Sequence, residues 1–363
     1  MLPVVEDALA GRTTVLPVPM DDERETSLIT TSLRAGAEID DDVAVVVSTS
    51  GTTGTPKGAM LTAAALTASA SATHDRLGGA GQWLLALSAH HVAGLQVLVR
   101  SVVAGTTPVA ISAGFSAAEL VSAVDSLGSG RRYVSLVAAQ LDKSLGDPAA
   151  SAALASMDAV LIGGGPMPAG VAERACAAGI PVVRTYGMSE TAGGCVYDGL
   201  PLDGVRMRID GGRVVLGGAT LAKGYRNPVE PDPFVEPGWF RTDDVGAVDD
   251  SGVLAVLGRV DDAISTGGLT VLPQLVEAAV ASHGAVAECV VFGVDDERLG
   301  QRVVAAVVVT PGRAAPTLAE IRTHVAASLD VTAAPREIHV VDEIPRRGIG
   351  KVDRRALAAR FGG

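Results

Sequence analysis

From residue 43 onward the chain alternates short, largely apolar runs with stretches of helical periodicity. Runs at 43–47, 83–87, 133–137, 159–162 and 182–185 predict strands, while 60–77, 92–103 and 169–178 predict helices, the last ended by Gly179. Ser116-Ala117-Ala118-Glu119 has capping-box spacing before a helix expected to stop near Gly128. Strands with near-continuous apolar runs suit a mostly parallel sheet covered on both faces.

The pattern changes after Tyr197. Residues 206–209 and 214–216 flank Asp210-Gly211-Gly212 as a hairpin, and 253–257 extends a small antiparallel unit. The polar joint Gly258-Arg259-Val260-Asp261-Asp262 then leads to helices at 273–282 and 318–329 and strands at 289–292, 303–309 and 338–341. The predicted fold class is α/β: a large N-terminal domain over 1–260, with mostly parallel sheets plus a small β unit, and a small α+β domain over 261–363. Residues 1–40 are weakly patterned and predict an arm with one short helix.

Composition narrows this picture. A chain of 363 residues exceeds a typical single core, and 48% hydrophobic with 3% aromatic residues predicts interiors of Ala, Val and Leu rather than disorder. The net charge of −12 argues against nucleic-acid and anionic-membrane partners, so a polyphosphate would be held by local basic groups. Cys176, Cys195 and Cys289 have neither CxxC nor metal spacing, which fits a reducing compartment. No apolar stretch reaches about 18 residues and no basic segment leads an apolar one at the N-terminus, so a cytoplasmic protein is expected.

Candidate chemistry starts at Ser48-Thr49-Ser50-Gly51-Thr52-Thr53-Gly54-Thr55-Pro56-Lys57-Gly58. Read as strand, loop and helix, it concentrates hydroxyls, glycines and one lysine where backbone amides can approach an anion. It departs from the Walker A spacing, because Lys57 follows Pro56 and precedes Gly58. The alternative is a flexible connector. Gly163-Gly164-Gly165-Pro166 offers backbone to a flat ligand or is a plain strand-end turn. Tyr186-Gly187-Met188-Ser189-Glu190-Thr191, expected just after a strand, offers an aromatic face and a carboxylate for a divalent ion, or a solvated loop. Asp244 suits a ribose diol and Arg259 a ribose or phosphate, and both equally suit a surface. Lys351 lies on a glycine-bracketed basic loop over 345–355 that also reads as a solvated patch.

Together, and in this order, these segments resemble the AMP-forming acyl-CoA synthetase superfamily over residues 43–355. More finely, His91-Val92-Ala93-Gly94-Leu95, residues 184–194 and Ser265-Thr266-Gly267-Gly268 are similar to actinobacterial o-succinylbenzoate:CoA ligases of menaquinone biosynthesis.

The resemblance implies ATP, CoA and a carboxylic acid as substrates, with Mg²⁺ accompanying ATP. It implies that Ser48, Thr49, Ser50, Gly51, Thr52, Thr53, Gly54, Thr55 and Lys57 hold phosphates, and that Gly164, Gly165, Pro166, Thr185, Tyr186, Gly187, Met188 and Ser189 line the nucleotide. Asp244 and Arg259 would bind ribose, and Glu190 with Thr52 the metal. His91, Gly164, Gly187 and Met188 would border the acyl group, and Gly267 and Gly268 CoA. Lys351, His91 and Lys57 would be catalytic, Asp261 the hinge of a mobile C-terminal domain, and a homodimer possible.

Two departures stand out. Asp243 replaces the family's usual glycine and puts a charge beside the ribose carboxylate, and the region before the phosphate loop is short. Two other function classes fit the same residues: an adenylation module that loads a carrier protein, and a nucleotide-binding regulator without catalysis.

Overall fold

Val43–Val47, buried at all five positions, pairs antiparallel with Ala59–Thr62 in the register Val47↔Ala59 and Val46↔Met60. The computed structural model describes residues 1–49, 55–112, 114–347 and 351–362, with Arg347 and Lys351 given by their backbones. After Gly58 the chain therefore continues as a strand, and the helix predicted from residue 60 begins at Ala63. Thr62 sets that start, since its Oγ1 accepts from the backbone N–H of Ala65 at 3.0 Å.

The largest sheet runs in the order Val109–Ala110, Gln82–Leu85, Arg132–Val137, Ala159–Gly163, Val182–Met188, Gly193–Tyr197, Leu200–Pro201. Its first five strands are parallel and the last two antiparallel. The predicted parallel sheet is thus mixed at one edge. The reversal comes at a short 3₁₀ turn, Ser189–Thr191, after which Ala192 takes a left-handed φ of 52°.

One face carries Leu84, Val134, Leu136, Val160 and Ile162 against Leu120, Leu154 and Val171 of three helices. Each of those side chains contributes about 1.5–3 kcal/mol by leaving water. The other face presents Trp83, Tyr133 and Ser135 to helices Ala63–Arg76 and Val92–Ala104.

The N-terminal stretch holds two helices, Leu2–Leu9 and Glu23–Ser32, where an arm with one helix was expected. Ile29 and Leu33 pack with Val43 and Val46, and Val15 exchanges backbone hydrogen bonds with Ala44 and Val46 at 2.9 Å. The polar residues of Glu23–Ser32 leave only a narrow apolar stripe, so the periodicity is weak although the anchoring is tight.

Two compact units divide the chain. One comprises Met1–Arg208, Val215–Thr242 and Asp250–Val253; the other comprises Ile209–Val214, Asp243–Asp249 and Leu254–Gly363. A four-stranded sheet has the order Val205–Asp210, Arg213–Gly218, Trp239–Val248, Leu254–Arg259. In the second unit, Gly300–Val309 pairs antiparallel with Val286–Asp296 and parallel with Glu337–Val340. Val303, Ala305 and Val307 face helices Pro273–Ala281 and Leu318–Ala326, while Val304 and Ala306 face Leu357 of helix Arg354–Phe361. This is the α+β arrangement expected from the pattern.

Candidate active site

The first unit brings Lys57, Glu190 and Tyr225 together. Chain 56–60 is held along its length by chain 223–227. Lys223 N–H donates to Met60 O at 2.9 Å, Met60 N–H to Gly224 O at 3.0 Å, Arg226 N–H to Gly58 O at 2.8 Å and Asn227 N–H to Lys57 O at 3.0 Å. The Asn227 side-chain amide also donates to Pro56 O at 2.9 Å. This lattice sets Tyr225 with its ring centroid 5.4 Å from Lys57 Nζ, a cation–π contact. Its hydroxyl donates to Glu190 Oε1 at 2.5 Å.

Glu190 is 7% exposed, and Tyr225 is the one side-chain donor it has among the described residues. Thr49 Oγ1 is buried with no hydrogen-bond partner among them. An orphaned hydroxyl, a lysine and a carboxylate held at one oxygen make a donor set that fits a metal-bound polyphosphate. Ser50, Gly51, Thr52, Thr53 and Gly54 lie outside the described residues.

Tyr186, Gly187 and Met188 lie inside strand Val182–Met188, not after it, because this strand pairs on with Gly193–Tyr197. The pairing explains Gly187: a Cβ there would stand 2.1 Å from the carbonyl oxygen of Gly193. Gly163 ends its strand against Thr185, whose Oγ1 donates to Ile162 O at 3.3 Å, and Gly164 to Pro166 follow.

His91 is the N-cap residue of helix Val92–Ala104. Further along this helix, Gln96 and Arg100 are 0% and 3% exposed, in an otherwise apolar run. Arg100 sits 4.7 Å over the Trp83 ring, donates to Tyr197 Oη at 3.2 Å and reaches Ser135 Oγ at 3.5 Å. No carboxylate pairs with it among the described residues, and both its Nε and Gln96 Oε1 are buried without partners. Burial pushes the Arg100 pKa down, and burial together with the nearby Arg100 charge lowers that of His74 to about 4. His74 Nε2 accepts from the Trp83 indole at 3.2 Å.

The second unit gathers another cluster. Asp244, 6% exposed, lies in register with Arg259, whose Nη1 reaches its Oδ1 at 3.3 Å. Arg259 also holds Asp261 through two hydrogen bonds of 2.8 and 2.9 Å. Burial opposes the Arg259 charge, yet Asp261, Asp244 and Asp243 together raise its pKa. Asp243, expected as an added charge beside the ribose carboxylate, is paired with Arg213. Gly267 and Gly268 form the two-residue turn between Ile264–Thr266 and Leu269–Val271, with φ of 58° and 81° that only glycine adopts without strain. Lys351 begins the strand Lys351–Val352, paired with Arg346–Arg347.

A sequence profile described as AMP-binding enzyme matches residues 6–225, and one for the AMP-binding enzyme C-terminal domain matches 275–351. The chain belongs to the AMP-binding enzyme family. The first match ends at Tyr225 and the second at Lys351, so Lys57, Glu190 and Lys351 fall inside them, while Asp244, Arg259, Asp261, Gly267 and Gly268 lie between the two.

Within the family, the chain is 67% identical over 368 residues to the probable 2-succinylbenzoate–CoA ligase of Mycobacterium tuberculosis, covering all of this chain and 95% of the relative. It is 35% identical over 342 residues to the 2-succinylbenzoate–CoA ligase of a Geobacillus species, with 87% and 69% covered. Among solved structures, o-succinylbenzoate CoA synthetase from Bacillus subtilis in complex with the acyl-adenylate intermediate OSB-AMP superposes with a TM-score of 0.76 at 26% identity, covering 98% of this chain and 80% of that one.

Sequence reading passed over Tyr225, Asn227, Arg100 and Arg213. A lone arginine in the apolar run Leu95-Gln96-Val97-Leu98-Val99-Arg100 was the available signal for one of them. Tyr225 is separated from Glu190 by 35 residues and gives no such signal.

Proposed function

We infer that the protein is an AMP-forming 2-succinylbenzoate–CoA ligase, which adenylates its acid with ATP and passes the acyl group to CoA. The relatives support the reaction, and Arg100 is the observation within this chain that carries the choice of acid. A buried guanidinium without a carboxylate is costly. A dicarboxylic acid resolves it, presenting one carboxylate to the reaction and the other to Arg100, with Ser135 and Tyr197 as neighbouring hydroxyls.

A carboxylate is a poor electrophile. Its oxygen attacks the α-phosphorus of ATP, the bond to pyrophosphate breaks, and the acyl adenylate forms. The CoA thiol then adds to the activated carbonyl and expels AMP. Both steps need charge neutralisation rather than a protein nucleophile. Lys57 and the loop hydroxyls bind the β- and γ-phosphates, and Glu190, steadied by Tyr225, would hold Mg²⁺ with Thr52. When bound, that ion supplies positive charge to the phosphate oxygens.

Tyr186 and Gly164 to Pro166 flank adenine, Asp244 and Arg259 take the ribose, and His91 borders the acyl group. Lys351 spans carboxylate and α-phosphate during adenylation. Asp261 is the hinge on which the C-terminal domain, residues 261–363, turns between half-reactions, with Gly267 and Gly268 beside the pantetheine arm.

The test is a coupled assay of pyrophosphate release and thioester formation over a panel of aromatic, fatty and dicarboxylic acids. The highest kcat/KM is expected with 2-succinylbenzoate. Turnover of another acid with none of this one would overturn the assignment and leave the ligase chemistry in place.

A further inference from the structure

Asp243 and Asp244 are consecutive in strand Trp239–Val248 and so face opposite sides, half exposed and buried respectively. Their carboxylates nevertheless share Arg259: its Nη1 lies 3.3 Å from Asp244 and its Nη2 3.6 Å from Asp243, while Nε and Nη2 hold Asp261. Three carboxylates therefore draw on one guanidinium. Arg213 supplies a second by pairing with Asp243, and its backbone is fixed because Gly246 N–H donates to Gly212 O at 3.0 Å. Among the described residues, Arg213 and Arg259 are the side chains that Asp243 contacts.

We propose that Arg213 is a positioning residue for nucleotide binding: by occupying Asp243 it leaves Arg259 aligned on Asp244. This rests on the reading of Asp244 and Arg259 as the ribose-binding pair. The physical reason is competition between adjacent like charges. Asp243 is close enough to draw Arg259 away from Asp244, and its field is cancelled locally by Arg213. An exposed ion pair contributes little to stability by itself, so the pair acts on geometry.

The experiment compares wild type, Arg213→Gln, Asp243→Gly and the double variant in steady-state adenylation, with ATP and with 2′-deoxy- and 3′-deoxy-ATP. Arg213→Gln is expected to raise KM for ATP about fivefold to tenfold with kcat within about twofold, and to flatten the preference for ATP over the deoxynucleotides. The double variant is expected to recover both, because the competing carboxylate is gone. An unchanged KM in Arg213→Gln, a double variant no better than the single one, or a lower unfolding midpoint with an intact nucleotide preference would each overturn the proposal. Asp244→Asn separates the two layers. If it leaves the ribose preference intact, the underlying assignment fails and takes the proposal with it; if it abolishes that preference while Arg213→Gln does not alter it, the proposal alone fails.

Discussion

Tyr225 gives its phenolic hydrogen to Glu190 at 2.5 Å while its ring lies 5.4 Å from Lys57 Nζ, so one side chain contacts both charged groups. The anchoring of chain 223–227 onto 56–60 makes this contact a property of the fold rather than of a mobile side chain.

Tyr225→Phe keeps the ring over Lys57 and removes the donor to a buried carboxylate. A hydrogen bond to a charged group contributes about 1.5–3 kcal/mol. The variant is expected to lose unfolding free energy in that range, seen as a lower urea midpoint, and to need more Mg²⁺ for half-maximal ATP binding. Nucleotide binding measured over a Mg²⁺ series checks the second effect apart from turnover.

Arg100→Met is expected to act on the acid and spare the nucleotide. Removing the guanidinium should lower kcat/KM for 2-succinylbenzoate by about 10- to 10²-fold, the scale of a lost charged hydrogen bond, and leave KM for ATP within about twofold. A monocarboxylate analogue without the ring carboxylate should lose little. Parallel losses on both acids would exclude recognition by Arg100.

His74 makes stability depend on pH. Its folded-state pKa, pushed down to about 4 chiefly by burial and next by Arg100, lies below the ordinary 6.5. The unfolded chain therefore binds the proton more readily. The neutral ring's contribution is fully present above pH 6.5 and is lost as pH falls toward 4, up to about 3 kcal/mol. Urea midpoints between pH 7.5 and 4.5 should fall accordingly, and His74→Gln should flatten the decline. A slope that persists in that variant would assign it to another group.

Lys351→Ala separates the half-reactions. Pyrophosphate release is expected to drop about 10²-fold or more, while thioester formation from supplied acyl adenylate stays near wild type. Equal losses in both would remove Lys351 from the adenylation step.

Gly187→Ala tests the packing that supports the site. A methyl 2.1 Å from the Gly193 carbonyl has to push two paired backbones apart, so the expected loss exceeds about 3 kcal/mol in urea unfolding. Near-wild-type stability would show that the strands can part without cost.

The wholly apolar runs at 43–47 and 159–162 located strands without tertiary information, because a strand covered on both faces is apolar at nearly every position. The ordered motifs around Lys57, Glu190, Asp244, Arg259 and Lys351 likewise pointed to the family that the sequence profiles match.

Local pattern failed where the partner was distant. Ala59–Thr62 follows the loop closely and reads as the start of a helix, yet its backbone pairs with Val43–Val47 on one side and with chain 223–225 on the other, and these hydrogen bonds outweigh its helical pattern. Residues 1–40 looked unanchored because their contacts lie across Val43–Val47. Periodicity cannot report which surface a side chain meets. The sequence by itself determined the alternation of elements, the glycines of tight turns and the charged groups available for chemistry. Only the tertiary structure decided that Tyr225 holds Glu190, that Arg100 is buried with no carboxylate beside it among the described residues and that Arg213 answers Asp243, because each depends on chain segments brought together by packing.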